Sequence, residues 1–238
     1  VMILVTGAST GLGLATAEAL AAAGHRVVLH ARRADRLTTP AVAERMHAVV
    51  LGDLSDADAT VDVARQANAL GRFDAVIHNA GVIDGPVTAV NVIAPYLLMA
   101  SLTPPDRSIV LSSGMHRSGS PDLDRAFRGR GDYSTSKLLV TTLAFALARR
   151  SRILSHAVDP GWVPTRMGGR GAPDSLEEGH RTQEWLATAD PAGIEPRTGG
   201  YWYHRQPRAP HPATVDPAFQ DALVERLSRV TGLELPSG

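Results

Sequence analysis

The stretch "MILVTGASTGLGLATAEALAAAG", residues 2–24, decides the fold. It opens on a short apolar run, the signature of a buried strand. Gly7, Gly11 and Gly13 then mark a turn, and an Ala- and Leu-rich segment with helical spacing follows, closed by Gly24. This order lets backbone N–H groups at a helix N-terminus approach an anion, because no Cβ stands in the way. The helix dipole adds to the attraction. Ser9, Thr10 and Leu12 fill the spaces between the glycines and belong to the same candidate anion-binding backbone. A ligand-free βα connection uses glycines too. The setting, after a clean strand and before a strong helix, favours the pyrophosphate of a dinucleotide.

The rest of the chain repeats the alternation. Apolar runs at 26–30, 47–53, 74–81, 108–113 and 152–158 read as strands, and "GGYWYH" (199–204) as a final edge strand. Helically spaced segments lie between the runs. Near-continuous apolar strands alternating with helices predict a parallel sheet covered on both faces. The expected fold class is α/β: a Rossmann-type doubly wound parallel sheet flanked by helices, three layers in all. No internal repeat occurs, and no fresh βα pattern follows the Gly-, Pro- and Arg-rich stretches. Residues 1–238 therefore read as one domain.

Composition narrows the function classes. Formal charges balance at zero, whereas a general nucleic-acid or membrane-surface binder carries a basic excess. The absence of cysteine excludes disulfides, thiolate catalysis and Cys-ligated zinc. The histidines show no metal-ligand spacing, so no metal is expected. No apolar run approaches the ~20 residues of a membrane span. The N-terminal residues lack the marks of a signal peptide, so a cytoplasmic location is the expectation.

The chemistry concentrates in "YSTSK" (133–137), which places Tyr133 and Lys137 on one face of a helix. A free phenol titrates near ~10 and exchanges protons poorly at neutral pH. A neighbouring ammonium favours the phenolate, and bringing the phenol near neutrality requires a shift of ~3 units, or ~4 kcal/mol. Alone, the two residues read as a surface pair. With the glycine turn, they read as a general acid and the group that tunes it.

Other motifs follow in order: "GDL" (52–54), "HNAG" (78–81), "VNVIAP" (90–95), "SS" (112–113), Tyr133-x-x-x-Lys137 and "DPGWVPT" (159–165). With Thr-Gly-x-x-x-Gly-x-Gly at 6–13, the chain resembles the short-chain dehydrogenase/reductase family of the compact type, nearest to retinol-dehydrogenase-like and carbonyl reductase members. The similarity runs from Met2 to about Thr165 and weakens beyond.

The resemblance implies an oxidoreductase that interconverts a carbonyl and an alcohol by direct hydride transfer with a nicotinamide cofactor. Tyr133 would be the general acid and base. Ser113, with Ser112 as the fallback, would hold the substrate oxygen. Asn91 would bind a water relaying protons from Lys137, which would also contact the nicotinamide ribose. Asp53 and Leu54 would lie at the adenine, and Asn79, Ala80 and Gly81 beside the cofactor. Pro160, Gly161 and Val163 would approach the nicotinamide, with Thr165 on its carboxamide. Bland readings stand beside these: Asp53 as a turn residue or helix cap, Asn79 as a sheet brace, Asn91 as a cap.

NAD-preferring enzymes place an acid at the end of the second strand. Here that region reads His30, Ala31, Arg32, Arg33. A guanidinium clamps a 2′-phosphate through paired charge-assisted bonds. NADP(H) is therefore favoured over NAD(H), with Arg32 the first choice of clamp and Arg33 the second.

Two departures from the family pattern stand out. Ser113 and Tyr133 lie 20 positions apart, so "GMHRSGSPDLDRAFRGRGD" (114–132) reads as an insert beside the cleft, with His116 or Phe127 facing substrate. The 12 positions from Asn79 to Asn91 are fewer than the family norm, which predicts a cleft more open on that side.

Residues 164–190 read as substrate loops with a capped helix that would serve as a lid, and 219–232 as a closing helix. Trp162, Trp185 and Trp202 are candidate pocket walls, although core packing is the better reading of Trp185. Resembling proteins often pair through the helix carrying Tyr133, so homo-oligomerisation is an open expectation, as is its blockage by the insert. The partner expected is a small carbonyl or alcohol. The competing reading is a non-catalytic nucleotide sensor or scaffold of the same fold.

Overall fold

A computed structural model describes residues 1–36, 40–129 and 131–236. Arg130 of the insert lies outside the described residues. Eight strands form one sheet: β1 (Met2–Val5), β2 (Arg26–Ala31), β3 (Ala48–Leu51), β4 (Ala75–His78), β5 (Arg107–Leu111), β6 (Leu154–Asp159), β7 (Gly200–Tyr203) and β8 (Gln206–Pro207). Their spatial order is β3-β2-β1-β4-β5-β6-β7-β8. All neighbours are parallel except β7 and β8, which form an antiparallel pair. Strand β7 is thus covered by a short hairpin partner and is not the edge that its aromatic run suggested.

The helices are α1 (Gly11–Ala22), α2 (Pro40–Arg45), α3 (Ala57–Ala69), α4 (Ala94–Ser101), α5 (Leu123–Arg128), α6 (Tyr133–Arg150), α7 (Leu176–Thr188) and α8 (Pro217–Thr231). Strand β1 shows how the sheet separates the layers. Ile3 and Val5 point into a core shared with Ala17 and Leu20 of α1 and Leu186 of α7. Met2 and Leu4 point the other way, to Val63 and Ala67 of α3 and Leu98 of α4. The period of two in a strand makes this division, and burial on both faces explains the unbroken apolar runs. Chain order reverses between β1 and β4, so the carboxyl ends of these strands open onto a crevice.

Two local features matter for the site. Helix α6 is wrapped by its own chain: Leu223, Val224 and Leu227 of α8 pack with its Leu139, Leu143 and Leu147. The Tyr96 hydroxyl donates to the Leu233 carbonyl at 2.8 Å, closing the C-terminal end over α4. Helix α8 thus covers the side of α6 that carries Leu139, Leu143 and Leu147. Helix α7 is a layer helix, with Thr182, Gln183 and Leu186 buried and Gln183 Nε2 donating to Thr16 Oγ1 of α1. Of the segment expected to form a lid, only the loop 164–174 is left for that role.

Burial also sets a pH limit on stability. Desolvation pushes His78 down to about 3 and His156 down to about 4, so both rings are neutral in the folded chain. In the unfolded chain each binds a proton near pH 6.5. Their folded values are depressed and the charged form is the cationic one, so stability is full above about pH 6.5 and falls as the pH drops. Each such histidine takes about 1.4 kcal/mol per pH unit below that point. Urea unfolding from pH 8 to pH 5 should show this slope, and His78→Leu should reduce it by one histidine's share. An unchanged slope in that variant rejects the assignment.

Candidate active site

The glycine turn leaves β1 at its carboxyl end, and three close approaches hold its shape. Gly7 has φ +62°, and a Cβ there would lie 2.8 Å from the Cα of Ala80. A Cβ on Gly13 would meet Asn79 Nδ2 at 2.3 Å and the Gly7 carbonyl at 2.8 Å. Gly11, with φ +58°, faces Thr165 at ordinary contact distance. Thr10 sits at the N-cap of α1 without a side-chain cap bond, and no acidic residue occupies the first turn. The N–H groups of the first turn thus remain free of side-chain acceptors from α1 itself and face an anion. Ser9 and Leu12 lie on the same turn, both half-buried.

Asn79 acts here as a brace. Its Nδ2 donates to the carbonyls of Thr6 and Gly7 at 2.9 and 3.2 Å, and Ala80 N donates to Thr6 Oγ1 at 3.1 Å. The structural reading of Asn79 accounts for its amide without a ligand. His30 does related work that the sequence did not reveal. Gly7 N–H donates to its Nδ1 at 3.0 Å, so the neutral ring carries its proton on Nε2 and donates to the Gly52 carbonyl at 2.9 Å. Burial keeps the ring below its ordinary value, against the pull of Gly52 and Asp53. The imidazole ties the turn to the end of β3.

Around the second strand, the two arginines separate. Arg33 is held in a two-pronged pair with Asp35, at 3.0 and 2.8 Å. The second-choice clamp is therefore already occupied. Arg32 is exposed and forms no ion pair among the described residues, and its charge acts on Asp53. Asp53 takes the turn reading: its Oδ1 accepts from Ser55 N at 2.9 Å and Ser55 Oγ at 2.8 Å. Burial opposes its charge, and the Ser55 bonds, together with Arg32 and His30, hold the carboxyl below its usual range. The helix cap is Asp56, two residues after the GDL motif. Leu54 is directed inward, buried with Leu4 and Val63, so its side chain is a core group and not a ligand contact.

The polar cluster forms at the carboxyl ends of β5 and β6. Ser112 turns into the core, where its hydroxyl shares a 2.6 Å bond with Thr141 Oγ1. Ser113 faces the cleft side near the Tyr133 phenol, and its hydroxyl accepts from Met115 N at 3.2 Å. Strand alternation decides between the two serines in favour of Ser113. Asp132 caps α6 by accepting from Thr135 N at 2.8 Å, which sets Tyr133 and Lys137 on the helix's first turns. Lys137 Nζ lies 5.5 Å from the Tyr133 ring centre and donates to the Leu111 carbonyl at 2.7 Å.

The electrostatics correct one expectation. Burial pushes the Tyr133 phenol above its ordinary value, the Ser113 hydroxyl draws it back, and the Asp159 carboxylate adds to the rise. Burial also pushes Lys137 down to about 8, with Asp159 opposing. The ammonium loses its water and spends a bond on a carbonyl, so the lysine alone does not bring the phenol toward neutrality. The resting phenol holds its proton.

Asn91 has its side-chain amide engaged within the protein. It sits in a π turn (Ala89–Ile93), the local accommodation of the shortened segment. Its Oδ1 accepts from Val82 N at 2.8 Å, while Nδ2 donates to Val82 O and Ser136 Oγ, both at 2.9 Å. Both amide protons are used, and Ser136 passes the contact to the Tyr133 carbonyl at 2.7 Å. Asn91 is a brace under α6. Gly81 borders the same cluster: a Cβ there would stand 3.4 Å from Lys137 Nζ and 3.5 Å from Asn91 Oδ1.

Beyond β6, Gly161 (φ +82°) follows Pro160 and donates its N–H to Asp159 Oδ1 at 3.1 Å. Val163 is buried under Gly179, and Thr165 comes down onto Gly11. The Pro160–Thr165 loop therefore meets the glycine turn across the mouth of the crevice. Trp162 is exposed, whereas Trp202 is buried and packs edge-on with Trp185 at 5.1 Å, so neither Trp185 nor Trp202 is a free pocket wall.

The insert closes what the contraction leaves open. Thr88 Oγ1 donates to the Ala126 carbonyl of α5 at 3.3 Å, and Gly131 lies directly against Thr88. Phe127 packs half-buried against the core near α8, and His116 is fully buried, so the His116 side chain does not meet the expectation of touching substrate. The His116 ring instead serves the serine turn, with Nδ1 2.8 Å from the Ser113 carbonyl and Nε2 accepting from His211 N at 3.0 Å.

A dinucleotide fits these residues: a cradle that a Cβ at Gly7 or Gly13 would fill, uncapped N–H groups without nearby acids, and Arg32 without an ion-pair partner among the described residues. Among those residues, no helix is long and apolar enough to cross a membrane.

Comparison with known proteins agrees with this geometry. Residues 1–99 match the family model described as short chain dehydrogenase. The chain is 37% identical to short-chain dehydrogenase chry4 of Gibberella zeae over 261 aligned positions, covering 99% of this chain and 98% of that protein. It is 36% identical to short-chain dehydrogenase chyC of Penicillium rubens, with 99% of each chain covered. A dehydrogenase/reductase from Sinorhizobium meliloti superposes with a TM-score of 0.68 at 26% identity, over 85% of this chain and 92% of that one. The chain belongs to the short-chain dehydrogenase/reductase family and is an NAD(P)-dependent oxidoreductase.

Proposed function

We propose that the protein is an NADP(H)-dependent reductase that interconverts an aldehyde or ketone with the corresponding alcohol. The observation that carries this reading is the convergence of Ser113, Tyr133 and Lys137 at the carboxyl end of β5, facing the crevice beside the glycine turn. When bound, the reduced nicotinamide supplies the hydride. The N–H groups of Gly11, Leu12 and Gly13 would hold the pyrophosphate, with Ser9 and Thr10 on the same turn. Arg32 would hold the 2′-phosphate, Lys137 the nicotinamide ribose, and the Pro160–Thr165 loop the nicotinamide end.

In carbonyl reduction, the Tyr133 phenol donates its proton to the substrate oxygen. The Ser113 hydroxyl hydrogen-bonds the same oxygen and holds it in line. Lys137 stabilises the phenolate that remains. In the reverse direction that phenolate removes the alcohol proton. A phenol that keeps its proton at rest suits the reductive direction.

The test is NADPH oxidation over a panel of aldehydes, ketones and quinones. Turnover of at least one class is expected, and silence across the panel together with tight NADPH binding rejects the reading. Cofactor choice has its own test. Arg32→Glu removes the clamp and adds a repelling charge, so NADPH affinity should fall about 100-fold, the worth of ~3 kcal/mol of charge-assisted bonding. NADH affinity should stay within about threefold, because NADH has no 2′-phosphate for the glutamate to repel. Equal loss for both cofactors, read by fluorescence titration, removes Arg32 from the role.

A further inference from the structure

One carboxylate at the candidate site was not singled out from the sequence. Asp159 ends β6, and both of its oxygens are engaged: Oδ1 accepts from Gly161 N at 3.1 Å and Oδ2 from the Tyr201 hydroxyl at 3.0 Å. Oδ2 also lies 3.1 Å from the position a Cβ would take on Gly114, the residue after Ser113. Tyr201 is buried on β7, and its ring packs on His116 with centres 4.5 Å apart. His116 in turn holds the Ser113 carbonyl from its Nδ1 at 2.8 Å and from its backbone N–H at 3.0 Å.

We propose that Asp159 is a positioning residue for the reductase reaction. With Tyr201 it clamps the Pro160–Gly161 loop to the turn carrying Ser113, and it presents a negative charge to the Tyr133–Lys137 pair. The inference rests on the reductase reading and deepens it.

Each contact comes from a different element. Gly161 belongs to the loop proposed to carry the nicotinamide end, Gly114 follows Ser113 on the substrate side, and Tyr201 lies on the strand beyond. One carboxylate spanning all three sets the distance between the two halves of the reaction. The groups around it are Tyr133 and Lys137 of α6, His116 and Arg117 of the turn after Ser113, and Tyr201 and Tyr203 of β7, with Asp174 on the far side of Gly161. Among the carboxylates of the described residues, Asp159 alone raises both Tyr133 and Lys137. Arg117 lies over the opposite side of the arrangement, 5.4 Å from the Tyr201 ring.

The experiment compares Asp159→Asn with Tyr201→Phe. The tyrosines are labelled with carbon-13, and the Tyr133 titration is followed by NMR in the cofactor-free protein, assigned with Tyr133→Phe. An amide can accept only one of the two bonds and carries no charge. In Asp159→Asn the Tyr133 midpoint should fall by about one pH unit and kcat for reduction by about tenfold. Tyr201→Phe keeps the charge and loosens the clamp, so the midpoint should stay within about 0.3 unit while kcat falls about threefold.

A Tyr133 titration unmoved by Asp159→Asn overturns the charge role. If that variant does not fold, unchanged kcat in Tyr201→Phe overturns the clamp. Should the wild-type chain turn over no carbonyl, the reductase reading fails by itself. The titration would still decide what Asp159 does to Tyr133.

Discussion

Tyr133→Phe should lower kcat for carbonyl reduction by about 10³-fold, within the range that a positioned general acid contributes. NADPH affinity should stay within about threefold, because phenylalanine keeps the ring that packs beside Lys137 and loses only the hydroxyl. The separation of these two effects is the point of the experiment. A residue that merely supported the fold would disturb binding and stability as much as turnover. The Ser113 hydroxyl loses a phenol neighbour but keeps its bond from Met115 N at 3.2 Å. Steady-state kinetics with a carbonyl substrate and a fluorescence titration with NADPH supply both numbers. Turnover within tenfold of wild type would show that the proton comes from elsewhere.

Gly13→Ala should damage both stability and cofactor binding. Its Cβ would stand 2.3 Å from Asn79 Nδ2 and 2.8 Å from the Gly7 carbonyl, so either the amide leaves its two carbonyl partners or the turn moves. Overpacking and a displaced buried amide together should cost about 3 kcal/mol of stability. Moving the turn withdraws N–H groups from the phosphates, and two such bonds at ~1.5 kcal/mol each amount to about a 100-fold loss of NADPH affinity. Gly11→Ala is the contrasting case. It meets only Thr165 at 3.5 Å, so its cost is the positive φ, about 1 kcal/mol. Urea unfolding of the two variants tests the order. Equal stability would mean that the braced turn is looser than its contacts indicate.

The sequence and the structure agree best where the physics is local. The run "MILV" became β1 with the same limits, and the capped helix expected after Pro173 begins at Leu176 with Ser175 accepting from the N–H groups of Glu177 and Glu178. Helical spacing set Tyr133 and Lys137 together, and α6 carries them as i and i+4. Where the signal depended on a distant partner, the reading was incomplete. "VNVIAP" was legible as a motif, yet the π turn rotates Asn91 onto Val82 and Ser136 and gives it a supporting part. The insert and the contraction were each visible as departures, but not that one covers the other through Thr88 and Ala126.

The same distinction explains the residues whose part in the site the sequence did not give. His30, His116, Asp159 and Tyr201 belong to no spacing pattern, because each has a deciding partner 22 to 95 residues away along the chain. From the sequence alone came the strand–turn–helix nucleotide cradle, the parallel α/β sheet and the tyrosine–lysine face, all set by backbone sterics and periodicities within a few residues. Only the tertiary structure decided which serine faces the cleft, which arginine is left without an ion-pair partner among the described residues, and how the phenol is tuned. Hydrogen bonds, burial and charge act through space, and only the packed chain brings those groups within reach of one another.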